Sequence, residues 1–241
     1  MTHFDRRRVR GIMAKELREF RRNRSLVMGM SLVPLIFSVQ PLVQVFTLDP
    51  AAAGSLHREH VLLYMLGIPA LVPSFVAAYS IVGEREQGTL EPILTTPVRR
   101  EELVLGKALA ALLPAIGVAY AVFALFVACV ELFAAAPVAS ALIRPADVLA
   151  QVVFTPLLAG WSIWVAMLIS ARANDIRVAQ QLSTLASLPS VFMTTLIAVN
   201  VISASRATAL ATAAVLVLLN AVGLRTVSAA FDRERLVTGN T

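Results

Sequence analysis

The chain is short of the residues on which most enzymes and secreted domains depend. Its single cysteine, Cys129, can form no intrachain disulfide and offers no paired metal ligand, so within an apolar run it reads as a small filler. The three histidines, His3, His57 and His60, lie outside the long apolar runs, which removes the serine–histidine pair that proteolysis at membrane depth requires. His57 and His60 stand beside Glu59, but two histidines three residues apart are usually solvated, and no metal site is assigned. A phosphate-binding loop is missing as well. Gly106-Lys107 is followed by Ala108, and Glu101 occupies the place of the required leading glycine. The chain is therefore expected not to be an enzyme and to hold no cofactor of its own.

What is abundant is apolar sequence. Of 241 residues, 58% are hydrophobic and only 15% charged, and the mean hydropathy is +0.76, far above a soluble domain. Six runs approach the roughly 20 residues needed to cross a bilayer. They cover about 25–46, 61–83, 106–133, 148–170, 179–203 and 208–226. The first run follows nine basic residues but lacks a convincing cleavage site, so it reads as a retained span.

Eighteen of the 21 basic residues fall on one side of this arrangement, and only Arg58, Arg144 and Arg206 on the other. The positive-inside rule then places both termini and the 84–107 loop in the cytoplasm. The net charge of +6 is thus a topology signal, and no nucleic-acid partner is expected. High alanine and arginine with little lysine fit a GC-rich bacterial genome, hence a bacterial cytoplasmic membrane. The expected fold is an all-α membrane protein with six transmembrane helices. Segment 1–24 would be an amphipathic interfacial helix, 25–228 the six-span domain and 229–241 a cytoplasmic tail.

In the first segment Val9, Ile12, Met13, Leu17 and Phe20 share one helical face, and Arg10, Lys15, Arg18, Arg21 and Arg22 occupy much of the rest. Such a helix is expected to rest its apolar stripe on acyl chains and its guanidinium groups among phosphates. The second run carries Gly67, Pro69 and Pro73, which predict a possible kink.

The run Gly83-Glu84-Arg85-Glu86-Gln87-Gly88-Thr89-Leu90-Glu91 continues through Pro92 and Pro97 to Gly106-Lys107. Its nine charges are costly in hydrocarbon, so the segment is expected in water between two spans. Gly88 can end the helical extension of the second span. Thr89 can cap a short helix in which Leu90, Ile93 and Leu94 share a face, and Thr96-Pro97 repeats the start signal. A plain linker has no reason to present those apolar side chains among charges; they want a groove on a partner.

This loop resembles the signature segment of ABC-2-type permeases, the membrane subunits of ATP-binding-cassette transporters, mostly exporters. A second patch, Ser170-Ala171-Arg172-Ala173-Asn174-Asp175-Ile176-Arg177, is similar to the short loop entering the fifth span of that family. The resemblance implies that two permease subunits, two copies or paralogues, form the pore. It also implies a separate cytoplasmic ATPase that binds the ATP and magnesium. By that analogy Glu84, Arg85, Glu86, Gly88, Thr89, Leu90, Glu91, Ile93 and Leu94 transmit nucleotide-driven motion. Little room remains around Arg206 for the re-entrant helices of polymer exporters, and midplane charges are few, so a small or hydrophobic substrate is favoured.

Two other readings remain. An ion-coupled carrier would need ionisable groups at depth, and its candidate, Glu131, lies about 25 residues into a span, near the outer interface. A non-transporting membrane anchor would use the same loop only to recruit a partner. Gln40, Gln44, Gln151, Ser162, Thr194 and Asn200 are expected to bond between helices rather than to bind substrate.

Overall fold

The computed structural model describes residues 4–47, 60–86, 88 and 98–230. Among these, every regular element is helical. A preliminary helix α1 (Arg6–Arg22) is followed by α2 (Arg24–Thr47), a 3-10 turn at Val61–Leu66 running into α3 (Gly67–Glu86), and α4 (Arg100–Phe133). Then come a short α5 (Ala136–Leu142), α6 (Pro145–Arg172), α7 (Ile176–Ala198) and α8 (Arg206–Ala230). Six of these segments are long and apolar enough to cross a membrane.

The second span, the turn and α3 together, is the central post: it is almost wholly buried, while α2, α7 and α8 leave most of their surface open. It can sit there because small residues interspersed among its large apolar ones, such as Ala70, Ser74, Ala77 and Ala78, admit close neighbours. Pro69 lies in the first turn of α3, where a missing N–H costs nothing, and the 3-10 turn ends just before it. Ser162 donates its hydroxyl to the Ala70 carbonyl, and Ser170 donates to that of Ala78. Two hydroxyls on α6 thereby stitch that helix to the post. On its outer side α6 meets α8 through Asn220, which donates to the Leu157 carbonyl at 2.9 Å and accepts from Trp164 Nε1 at 3.1 Å.

Three boundaries differ from the sequence reading. α4 starts at Arg100, not at Pro97, because Glu102 accepts the Arg99 N–H at 3.0 Å and fixes the first turn there. α7 ends at Ala198, short of 203, since Asn200 adopts φ 59 and the N–H groups of Val201 and Ile202 fold back on the Leu196 carbonyl. Asn200 therefore belongs to a turn and not to a span. The connection after Phe133, between the third and fourth apolar runs, contains α5, with Pro137 in its first turn.

Candidate functional site

α1 lies against the start of α4, and Phe20, Ile12, Met13 and Leu17 join one apolar core with Ile81, Val82, Leu103 and Val104. Val9 is buried as well. The stripe is thus taken up by protein. Gly106 makes the approach possible: a Cβ there would stand 2.7 Å from Ile12 Cγ2 and 3.2 Å from the Val9 carbonyl oxygen.

Glu16 sits inside that stripe, three and four residues from Met13, Ile12 and Phe20. Its carboxylate is buried and meets Lys107. Lys107 is buried too: its ammonium donates to Glu16 Oε1 at 2.8 Å and to the Ser80 carbonyl at 2.7 Å, and it pairs ionically with Glu84 Oε2, 2.8 Å away. Lys15 closes the cluster from the rim, 2.9 Å from Glu84 Oε1, 3.3 Å from Glu19 and 3.6 Å from Glu16. Lys15 and Lys107 are the only lysines among the 21 basic residues. A compact ammonium fits this pocket where a forked guanidinium would not.

Burial alone would lower the Lys15 pKa, but its hydrogen bond to Glu84 and the charges of Glu84, Glu16 and Glu19 hold it above the ordinary lysine value. Glu16 moves up. Burial is the main cause, Glu84 adds to it, and together they outweigh the pull of Lys107 and Lys15. A cluster of this kind adds little net stability against an apolar equivalent, yet it is costly to break by halves. Its effect is to fix which residues of α1, α3 and α4 face one another.

A second anchor lies at the beginning of α1. Glu102 accepts the Asp5 N–H at 2.7 Å as well as that of Arg99, and Arg8 stands 3.6 Å away. A third joins α3 to the α6–α7 turn. Arg85 donates to the carbonyls of Ala171 at 3.1 Å and Ala173 at 2.9 Å, which terminate α6. Glu86 accepts the Ile176 N–H at 3.0 Å, and Asp175 caps α7 through the N–H groups of Arg177 and Val178. Ser170 accepts from the N–H groups of Ile81 and Val82 at 3.3 and 3.1 Å. The two charged patches singled out in the sequence therefore meet face to face.

The sequence reading put all nine charges of 84–107 in water. Glu84, Glu102 and Lys107 are instead buried, because each finds partners on α1 or at a helix start. Arg85 and Glu86 turn towards the α6–α7 connection. Gly88 has φ +67 and donates to the Arg85 carbonyl, ending α3 as expected. Thr89, Leu90, Glu91, Ile93 and Leu94 lie outside the described residues. Glu131 is exposed in the last turn of α4. Sequence reasoning missed Glu16 and the partners of Lys107, although a lone carboxylate on an apolar stripe was a readable sign. Of the polar residues inside spans, Ser162 bonds between helices, Thr194 only to Val191 of its own helix, and buried Gln151 has no partner among the described residues.

These features define a class: a multi-pass helical membrane protein whose two charged connections and leading amphipathic helix are locked together at one end. The chain belongs to the ABC-2 family of transporter proteins, whose family model matches residues 10–234. Its place is that of a membrane permease in an ABC transporter, a subunit that is not itself catalytic and associates with an ABC ATPase. No curated protein matches it.

Proposed function

We propose that this chain is the permease of an exporter for small or hydrophobic substrates, driven by ATP that a separate subunit hydrolyses. ATP and magnesium belong to that partner. The α1 end faces the cytoplasm of a bacterial cell, and a second copy or a paralogue completes the pore. Segment 89–97 supplies the contact with the ATPase through Leu90, Ile93 and Leu94, with Thr89 and Glu91 beside them.

The observation that carries this reading is how the stems of that segment are held. Its entering stem is tied to α6 and α7 by Arg85 and Glu86, and to α1 and α4 by Glu84. Its leaving stem is tied to α1 by Glu102 and Lys107. A push on the segment is passed to four spans and α1 at once, rather than absorbed by a loose loop. Such a push switches the pore only where contacts differ in free energy between the inward-open and outward-open states.

Leu94→Arg and Glu86→Lys test the reading in proteoliposomes holding permease and ATPase. Both variants should insert normally and lose substrate-stimulated ATP hydrolysis. Stimulation at the native level in both would refute the assignment.

A further inference from the structure

At the end of the bundle away from α1, the 3-10 turn, α6, α7 and α8 surround a cleft of about 500 Å³. That volume is typical of small-molecule sites. Leu66, Phe154, Ile197 and Leu210 are among the side chains that make its walls apolar, and His60, Asp147 and Arg206 are its charged or titratable members. The polar groups gather at one level. Asp147 is in the first turn of α6 and Arg206 opens α8, whereas Phe154 and Ala213 lie seven residues further along the same helices. Seven residues of helix are about 10 Å, so the cleft runs from a polar mouth to an apolar floor.

Among the described residues the mouth carries surplus positive charge. Asp147 is already matched, since Arg144 Nη2 lies 2.7 Å from one carboxylate oxygen and His60 Nδ1 lies 2.7 Å from the other. His60 Nδ1 lies between that carboxylate and Arg144 Nη2, which is 2.9 Å away, so Nε2 is the ring nitrogen these two groups do not use. Arg206 is exposed and has no acceptor among the described residues. It also begins a 25-residue helix, whose N-terminal end favours anions.

We propose that the cleft is a seat for an anionic membrane phospholipid. The phosphodiester rests against Arg206 and His60, and the first part of one acyl chain lies along α6 and α8 down to Phe154 and Leu66. A soluble anion would satisfy Arg206 but leave the apolar wall unfilled; a zwitterionic lipid would fill the wall without answering the charge. The site needs only that the spans lie in a bilayer, so it stands or falls separately from coupling to the ATPase.

The two tryptophans allow a direct test. Trp161 packs against the apolar cluster that holds Leu63 and Leu66, two residues of the cleft wall, while Trp164 is buried in the core shared with α1. The full chain is reconstituted in phosphatidylcholine with an equal, small fraction of phosphatidylglycerol or phosphatidylcholine brominated on the acyl chain. Tryptophan quenching should show an apparent preference for the phosphatidylglycerol of about fivefold, the worth of one arginine near an anionic headgroup.

Arg206→Gln should erase the preference and Arg206→Lys retain it, which separates lost charge from lost fold. Ala213→Phe, which fills the cleft, should also remove it. Equal quenching by the two lipids in the native chain overturns the proposal, as does a preference unchanged in Arg206→Gln. So does a preference that survives Ala213→Phe, which would mean headgroup attraction without a seat. Suppression of the preference by inorganic phosphate at constant ionic strength would make a soluble anion the ligand and overturn it equally.

Discussion

Replacing Lys107 by methionine tests the buried cluster most severely. The substitution keeps the length of the stem and removes only the ammonium. Glu16 and Glu84, each 2.8 Å from the lost nitrogen, then face one another, and the Ser80 carbonyl loses a donor at 2.7 Å. Breaking a buried ion pair from one side costs about 3–5 kcal/mol. Two features pull the figure towards the lower end. Lys15 still reaches Glu84 at 2.9 Å, and Glu16, whose pKa already lies above its ordinary value, can escape by taking a proton. A loss of about 3 kcal/mol is expected, read as a lower thermal midpoint in detergent and faster proteolysis after Arg21 or Arg22. Pairing Lys107→Met with Glu16→Leu removes one charge of each sign and leaves Lys15 on Glu84. That double variant should recover to within about 1 kcal/mol of the native chain, since an apolar replacement of a whole buried pair is often neutral. A native midpoint in Lys107→Met, or a double variant no better than the single, would refute the reasoning.

Two further outcomes follow from the same end of the bundle. Gly106→Leu should push α1 off α4, because its Cβ would stand 2.7 Å from Ile12 Cγ2 with more side chain beyond; thiol labelling of Ile12→Cys should then become fast, and slow labelling would show that α1 tolerates the bulk. The docking of α1 should also depend on pH in two senses. Lys15 is raised, so its contribution is complete below the ordinary lysine value of about 10.4 and is lost only as pH climbs beyond it. Glu16 is raised as well, but for an acid this means a penalty that appears as pH rises above about 4.3 and vanishes as pH falls. Glu16→Gln should remove that acid-side slope from the thermal midpoint, and an unchanged slope would exclude Glu16 as its source.

The six spans were legible because length and apolarity alone decide them, and the left-handed Gly88 stands just past the end of α3 as its sequence indicated. The pairing of 83–88 with 170–177 was half legible: each patch stood out, but contacts across some 90 positions leave no local periodicity. Glu102 and Lys107 read as solvated because a single-chain charge rule takes no account of a distant partner, and those partners are Asp5, the cap of α1, and Glu16 within it. α5 escaped notice because seven residues in an alanine-rich connection carry too little pattern to distinguish a helix from a bend. Asn200 was misplaced for the opposite reason: the apolar run continues past it, while its left-handed backbone ends the helix.

The meeting of three separate stretches at one end of the bundle bears on how this chain can be re-engineered. Arg85 reads main-chain carbonyls, whereas Glu84 and Lys107 read particular side chains of α1. A chimera that imports only residues 83–107 from a relative would keep the first kind of fit and scramble the second. To keep the buried cluster intact, such a graft must carry Arg6–Arg22 along with the loop, and 170–177 can remain native only if the incoming loop preserves an arginine and a glutamate at positions 85 and 86.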